Sequence, residues 1–229
     1  LSTAMMYAFG NRADFSAVDE PFYAAYLARS GATHPMQDAI LRSQPTDPTQ
    51  VIKIIMGPHP NGAPHQYHKH MTHHMDGMPM DWLGDVTNVF LIRHPARVIA
   101  SYARKRENPN LPDLGFAQQV AIYDQCRDMG QTPIVVDSDD ILADPQRIMT
   151  DLCTALGLGF DPAMLTWRPG PRTYDGVWAA HWYDSVHAST GLNAKQREIP
   201  MLGSEYQDLL SQALPFYEQL SDVSIRAIG

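Results

Sequence analysis

The sequence predicts a three-layer α/β domain, with helices on both faces of a mainly parallel sheet. Two continuous apolar runs, residues 88–92 and 133–136, have the composition of strands that are buried on both faces of such a sheet. Helical segments follow both runs, over residues 96–106 and from Asp144 to Leu156. This alternation of strands and helices is typical of a parallel sheet that helices cover.

Length and charge limit the number of domains and the class of ligand. The 229 residues, 44% of them hydrophobic, suffice for one substantial core, so we expect a single domain over residues 1–229. The net charge of −8 argues against a general nucleic-acid binder, because such a protein needs a basic surface to neutralise phosphates. One small anion needs only a local cluster of donors, so a nucleotide ligand is compatible with this charge. The sequence leaves the oligomeric state open, and a homo-oligomer is compatible with it.

The cysteines and the length of the apolar runs indicate where the protein is located. Cys126 and Cys153 lie in segments predicted as helices, and we expect two buried thiols rather than a disulfide, which fits a reducing cytoplasm. No apolar run reaches the roughly 18 residues of a membrane-spanning helix, so we expect no membrane span.

The chain opens with LSTAMMYAF, without an initiator Met or a lead-in strand. We therefore expect further residues upstream of Leu1.

The other segments are predicted from caps, breakers and periodicity. Helices are expected from Ser2 to about Gly10, over residues 22–29, over a short stretch that ends at Gly57, and over residues 115–129. Ser204 and Gln207 predict a capping box for a C-terminal helix. Residues 66–69 are expected to form a short strand, and residues 70–75 a helical turn. Residues 167–191, rich in aromatic residues and glycine, are expected to form an ordered loop.

The segment with the most chemical information surrounds Arg93 and Ser101. Arg93 ends a predicted strand, where ligands of open α/β sheets bind, and Ser101 lies about one and a half turns into the next helix. A guanidinium matches a phosphate, and a helix start adds free N–H groups and a positive dipole end. These features support a phosphate site. The alternative is that Arg93 pairs with an acidic residue such as Asp85 while Ser101 is an ordinary helix residue.

This segment, VFLIRHPARVIASYARK, resembles the 3'-phosphate-binding motif of the sulfotransferase family. Four positions match: Arg93, Pro95, Ser101 and Tyr102. His94 stands where the family usually has Asp. The resemblance implies a P-loop nucleotide-hydrolase-like fold and 3'-phosphoadenosine 5'-phosphosulfate as the co-substrate. It also implies that Arg93 and Ser101 bind the 3'-phosphate.

Two more segments resemble parts of the same family that surround the donor. LSTAMMYAF resembles the end of the donor-binding loop and the helix after it, which implies that Ser2 and Thr3 contact the 5'-phosphosulfate; a plain helix cap is the alternative. Residues 176–181 resemble a loop near the 3'-phosphate, with Arg172 as its preceding basic residue. Trp178 or Trp182 would stack on the adenine. The alternative is that these aromatic residues belong to the core.

A further segment, residues 133–158, resembles a strand–turn–helix unit of the family whose role is structural. The positions that fit are Asp140, Leu142, Asp144, Pro145 and the triplet Leu156, Gly157 and Leu158. Because this unit carries no chemistry, it supports the family and the chain order rather than the site.

Three residues are candidates for the transfer itself. Lys69 resembles a family lysine that contacts the sulfuryl and bridging oxygens, which implies stabilisation of the leaving group. The base is either Glu20, where several sulfotransferases carry a catalytic Glu, or His70, although other members place a His two residues beyond the Lys. A histidine titrates near neutrality, whereas Glu20 needs burial to raise its pKa. The compact polar break around Glu20 favours Glu20, against the alternative of an acidic residue placed before a helix start.

A cluster of histidines raises the question of a metal site. The members are His65, His68, His70, His73 and His74. His70 and His74 have the spacing of two ligands on one helix face. The cluster lacks the Glu of a metalloprotease motif and contains no Cys, and the implied chemistry needs no metal. We therefore expect none.

The function that these features imply is transfer of a sulfuryl group to a hydroxyl or amine of a small-molecule acceptor. A P-loop nucleotide kinase and a noncatalytic nucleotide-binding relative are the alternatives. Sequences of this kind also occur joined to other enzyme domains. A name taken from such a fusion partner would not describe this chain.

Overall fold

The computed structural model describes residues 1–59, 62–103, 109–194 and 198–225. The chain forms two compact units. Unit 1 combines Leu1–Trp82 with Asp161–Leu192, and unit 2 combines Leu83–Phe160 with Asn193–Gly229. The single domain expected over residues 1–229 stays a prediction.

The described strands are β1 (Phe15–Asp19), β2 (His65–Lys69), β3 (Val89–Ile92) and β4 (Ile134–Asp137). The described α-helices are α1 (Ser2–Gly10), α2 (Tyr23–Ser30), α3 (Gln37–Ser43), α4 (Pro48–Ile55), α5 (Pro95–Ala103), α6 (Leu111–Leu114), α7 (Phe116–Asp128), α8 (Ser138–Ala143), α9 (Pro145–Ala155), α10 (Ala179–Trp182), α11 (Asp184–His187) and α12 (Gln207–Ser221). Short 3-10 helices lie at Thr72–Met75, Asp81–Asp85, Pro162–Met164 and Ser204–Tyr206.

Unit 1 is built around β1 and β2, which pair in parallel. Phe15 lies opposite His65 at one end, and Asp19 lies opposite Lys69 at the other. Helix α1 packs on both strands and is apolar on nearly every side, with a run of buried residues from Met5 to Phe9. Because the carboxyl ends of parallel strands share one edge of a sheet, Asp19 and Lys69 end side by side.

Unit 2 is built around β3 and β4, which also pair in parallel, with Ile92 opposite Asp137. Helices α5, α8 and α9 contribute the buried residues Ile99, Ile141, Ile148, Met149 and Leu152 to its core. Asp144 caps α9 through its side chain, which accepts a hydrogen bond from the Arg147 N–H at 3.1 Å, and Pro145 occupies the first turn. This helix start confirms the sequence prediction.

The parallel pairing is confirmed, but the described strands form two separate two-stranded sheets rather than one. The prediction that residues 88–92 are buried on both faces is wrong. Phe90 and Ile92 are buried, whereas Val89 is 38% exposed, so β3 alternates like a strand with one covered face. Within the described helices, none combines the length and the apolar character that a bilayer crossing needs.

Two local predictions also need correction, and one strand was not predicted. Residues 15–19 form β1, in which the polar Ser16 alternates with the buried Ala17. Residues 167–191 are not only a loop, since they contain α10 and α11. The capping box at Ser204 is wrong, because a 3-10 turn precedes α12 and no side chain caps that helix.

Candidate functional site

The carboxyl ends of β1 and β2 place Glu20 beside Lys69, two residues that the sequence named separately as candidates for the transfer. Lys69 is the last residue of β2, and Glu20 follows β1 directly. The Glu20 N–H donates to the Lys69 carbonyl oxygen at 2.9 Å and so extends the strand pairing by one residue. Glu20 has a φ of 39°, an uncommon conformation for a residue other than glycine. Strand pairing on one side and a sharp turn on the other therefore fix the backbone of this residue.

The Lys69 ammonium has a partner for each of its three donors. It donates to Glu20 Oε1, to Asp19 Oδ1 at 3.1 Å and to the Tyr183 hydroxyl at 2.6 Å. An ammonium carries three N–H donors and no acceptor, so this set is complete. Lys69 is only 4% exposed. The cluster thus combines two carboxylates with one ammonium, and it is negative overall when all three are ionised.

Asp19 and Tyr183 are themselves held by other groups. The Tyr183 hydroxyl donates to Asp19, whose two oxygens lie 2.8 Å away, and accepts from the Trp178 indole N–H at 3.2 Å. Asp19 Oδ2 also accepts the Gly176 N–H at 3.1 Å. Sequence reasoning missed both residues. The position of Asp19 beside Glu20 could have indicated it, whereas Tyr183 carries no local signal.

Burial decides the electrostatics of the cluster. Removal from water raises the pKa of Glu20, the charge of Asp19 raises it further, and Lys69 opposes both effects. Burial also disfavours the charge on Lys69, but Glu20 and Asp19 outweigh this and raise the pKa of the ammonium. Lys69 is therefore charged at neutral pH, and Glu20 has the raised pKa that the sequence argument required of a base.

Two histidines, His70 directly after Lys69 and His74 near Glu20, are weak bases. Burial is the main cause that lowers the pKa of His70 to about 3, and it lowers the pKa of His74 well below its usual range. His74 Nδ1 lies 3.7 Å from Glu20 Oε2, and its ring stacks on Tyr23 with a centroid distance of 4.2 Å. His70 Nε2 is buried and has no hydrogen-bond partner. The advantage that the sequence gave to His70, titration near neutrality, is thus absent, which favours Glu20 as the base.

Three other residues predicted for the donor also lie in unit 1. Ser2 and Thr3 are half-buried in the first turn of α1, with Leu1 at the cap position and no side-chain cap, so the plain-cap alternative is wrong. Trp178 is 1% exposed and meets Tyr23 edge-on, which favours the core alternative over stacking on an adenine.

Arg172, predicted for the donor as well, lies at a different place in unit 1. Its guanidinium lies 4.9 Å above the Tyr7 ring. It lines a cavity of about 430 Å³ together with Asn11, Thr166, Trp167 and Arg168. Asn11 is the C-cap of α1, the end opposite to Ser2 and Thr3. The role of Arg172 in donor binding stays a prediction.

Arg93 and Ser101 lie in unit 2. Arg93 follows β3, and Ser101 lies on α5, more than one turn after the first residue of the helix; both are half-buried. The Ala96 N–H donates to His94 Nδ1 at 3.2 Å, so His94 supplies an acceptor to the first turn of α5. An Asp at this position would also cap the helix, which explains why His is tolerated here. Lys105, at the end of the matched segment, lies outside the described residues.

No three His, Cys, Asp or Glu residues are placed to hold a metal ion within the parts of the chain that the structure describes. Cys126 and Cys153 are both buried thiols, as expected.

A family model described as a sulfotransferase domain matches residues 1–224. The chain belongs to the sulfotransferase family. The solved structure of the Sulfotransferase Domain from the Curacin Biosynthetic Pathway matches this sulfotransferase domain with a TM-score of 0.51 and 15% identity, over 92% of each chain. At that identity the likeness concerns the fold, and it confirms an α/β sulfotransferase-like architecture.

Two curated relatives from Arabidopsis thaliana are similar to this sulfotransferase domain along nearly its whole length. They are branched-chain-amino-acid aminotransferase-like proteins 2 and 1, 34% and 35% identical over 222 residues, which is 96% of this chain. The chain spans only 39% and 40% of their length. Their names therefore describe proteins more than twice as long as the matched part. Family membership supports sulfuryl transfer as the general chemistry of the domain.

Proposed function

We propose that this domain transfers a sulfuryl group from 3'-phosphoadenosine 5'-phosphosulfate to a hydroxyl or amine of a small-molecule acceptor. The buried cluster of Lys69, Glu20 and Asp19 carries the proposal. It combines a charged ammonium with a carboxylate of raised pKa at the carboxyl edge of paired parallel strands. These are the groups that an in-line transfer needs, one to neutralise a leaving phosphate and one to accept a proton.

The proposed reaction assigns one task to each group. The acceptor oxygen or nitrogen attacks sulfur, and the bond between sulfur and the bridging oxygen breaks. The electron pair of that bond stays on 3',5'-adenosine bisphosphate, where Lys69 neutralises the developing charge. The proton of the acceptor passes to Glu20, whose raised pKa suits it to hold a proton. His70 is the weaker candidate, because burial lowers its pKa to about 3.

The donor contacts are proposed separately for each unit. In unit 2, Arg93 and Ser101 bind the 3'-phosphate, supported by the place of Arg93 directly after β3 and of Ser101 on α5, the helix that follows. In unit 1, Ser2 and Thr3 contact the phosphosulfate, supported by the open N–H groups in the first turn of α1. We also propose the three-layer P-loop arrangement of sheet and helices that this function implies. We further propose a cytoplasmic location, which the two buried thiols Cys126 and Cys153 support.

Donor binding followed by turnover tests the proposal. We expect the full chain to bind 3',5'-adenosine bisphosphate in isothermal titration and to transfer labelled sulfuryl groups to a member of a panel of alcohols and amines. Binding without turnover across the panel would favour the noncatalytic relative. Magnesium-dependent binding of ATP without binding of the bisphosphate would favour the kinase and contradict the proposal.

A further inference from the structure

We propose that donor binding exchanges Glu20 for donor oxygens on the Lys69 ammonium, and that this exchange turns Glu20 from an ion-pair partner into the general base. The inference rests on the proposed function and adds an order of events to it. The donor binds first and prepares the base, and the acceptor follows.

The exchange follows from the hydrogen bonds of Lys69. All three of its N–H donors already have partners: Glu20, Asp19 and Tyr183. The ammonium has no fourth donor, so a contact with a sulfuryl or bridging oxygen requires that one partner leaves. The structure therefore shows Lys69 in a state that is not yet available to a donor.

Of the three partners of Lys69, Glu20 has the fewest other hydrogen bonds through its side chain. Asp19 also receives the Tyr183 hydroxyl and the Gly176 N–H, and its side chain is 1% exposed. Tyr183 donates to Asp19 and receives the Trp178 N–H. The Glu20 carboxylate has Lys69 as its hydrogen-bond partner, while His74 Nδ1 stands 3.7 Å away, beyond hydrogen-bond distance. Release of Glu20 breaks one bond, whereas release of Asp19 or Tyr183 disturbs several.

The exchange changes the chemistry of Glu20. Lys69 is the cation that lowers the pKa of Glu20, against burial and the charge of Asp19, which both raise it. The other groups that face Glu20 are His74, which burial keeps neutral, and the Tyr23 hydroxyl, whose own pKa burial raises. None of these supplies a positive charge in place of Lys69. Once the donor takes the ammonium, the pKa of Glu20 rises and Glu20 becomes a stronger base. A fraction of it then takes up a proton from solvent, and the ionised remainder can accept the proton of the acceptor.

Calorimetry of the full chain with 3',5'-adenosine bisphosphate tests the exchange. Titration near neutral pH in two buffers of different ionisation enthalpy measures the protons taken up on binding. The ligand itself contributes no uptake, because its phosphates are largely ionised above about pH 6 and bound cations keep them so. We expect wild type to take up a fraction of a proton. We expect Glu20→Gln to take up none and to bind roughly tenfold tighter, because its Lys69 is no longer held by a charged partner.

Asp19→Asn is the matched comparison for Glu20→Gln. Both variants remove one buried negative charge beside Lys69, but only Glu20 is the partner that leaves. We expect Asp19→Asn to bind no tighter than wild type. Equal tightening in both variants would assign the effect to general charge and overturn the proposal. Proton uptake that persists in Glu20→Gln would assign it to the histidines and overturn it as well.

Exposed Glu205→Gln controls for the loss of a Glu at a remote position. Far-ultraviolet circular dichroism verifies that each variant folds. The proton uptake of wild type is measured without any substitution, so it tests the exchange even if a variant does not fold. Failure of wild type to bind contradicts the proposed function. Binding by wild type without tightening in Glu20→Gln contradicts the exchange alone, so the two failures are distinguishable.

Discussion

The Tyr183 hydroxyl lies 2.6 Å from Lys69 Nζ and 2.8 Å from each carboxylate oxygen of Asp19. Tyr183→Phe removes this oxygen and leaves the Trp178 N–H without its acceptor. Because unpaired buried polar groups are unfavourable, we expect the free energy of unfolding to fall by about 1–3 kcal/mol in urea titrations. Half-buried Tyr206→Phe is the control, with an expected change within about 0.5 kcal/mol. Equal effects of the two variants would contradict the structural role of Tyr183.

Replacement of Lys69 removes the positive charge beside the two buried carboxylates. Lys69→Met leaves Asp19 and Glu20 without their counter-charge, and we expect a loss of about 3–5 kcal/mol of unfolding free energy near pH 7. The loss shrinks toward about pH 5. Exposed Lys53→Met, on α4, is the control and should change little at either pH.

The sign of this pH dependence follows from Glu20. Its pKa in the folded state is raised above 4.5, so the folded state binds the proton more tightly than the unfolded chain. That contribution to stability is complete below the unfolded pKa and is lost as pH rises through the folded pKa. Without Lys69 the folded pKa rises further. A loss in Lys69→Met that is the same at both pH values would contradict the raised pKa.

His74 is expected to stay neutral through the physiological range. Burial lowers its pKa well below 6.5, and its ring stacks on Tyr23 and Tyr26. We expect the imidazole signals of His74 in nuclear magnetic resonance spectra to stay constant from about pH 8 to about pH 5.5. His74→Gln assigns the signal, and exposed His181 provides a reference in the same spectra. A midpoint near neutrality would show that His74 is charged beside Glu20.

Two variants distinguish which residue acts as the general base. Glu20→Gln removes the carboxylate of raised pKa, and we expect kcat to fall by about 10²–10⁴-fold. His70→Gln removes an imidazole whose pKa burial lowers to about 3, so we expect kcat to fall much less. Steady-state transfer of labelled sulfuryl groups measures both. A large loss confined to His70→Gln would assign the base to His70.

The sequence predicted the parts of the fold that local signals specify. The apolar content of β3 and β4 indicated strands, and Asp144 followed by Pro145 indicated the start of α9. Whether the two strand pairs join into one sheet depends on pairing between distant segments, which no local pattern encodes. β1 was not predicted, because Asp19 was assigned to the polar break around Glu20 rather than to the end of a strand.

The candidate site was likewise predicted only where short motifs specify it. Glu20 and Lys69 were predicted from short motifs, and the structure brings them into an ion pair. Tyr183 reaches Lys69 from 114 residues along the chain, so only the tertiary fold could reveal it. Trp178 was expected at a ligand, but it is buried among aromatic residues of unit 1 because residues 167–191 fold into short helices rather than an open loop.

The most direct test of donor binding is calorimetric titration of 3',5'-adenosine bisphosphate into wild type and Arg93→Ala. Arg93 follows β3, and the proposed charge-assisted pair with the 3'-phosphate would contribute about 1.5–3 kcal/mol. We therefore expect wild type to bind and Arg93→Ala to bind at least about tenfold more weakly. Exposed Arg127→Ala, on α7 of the same unit, should bind like wild type. No binding by wild type, or equal binding by Arg93→Ala, would contradict the account.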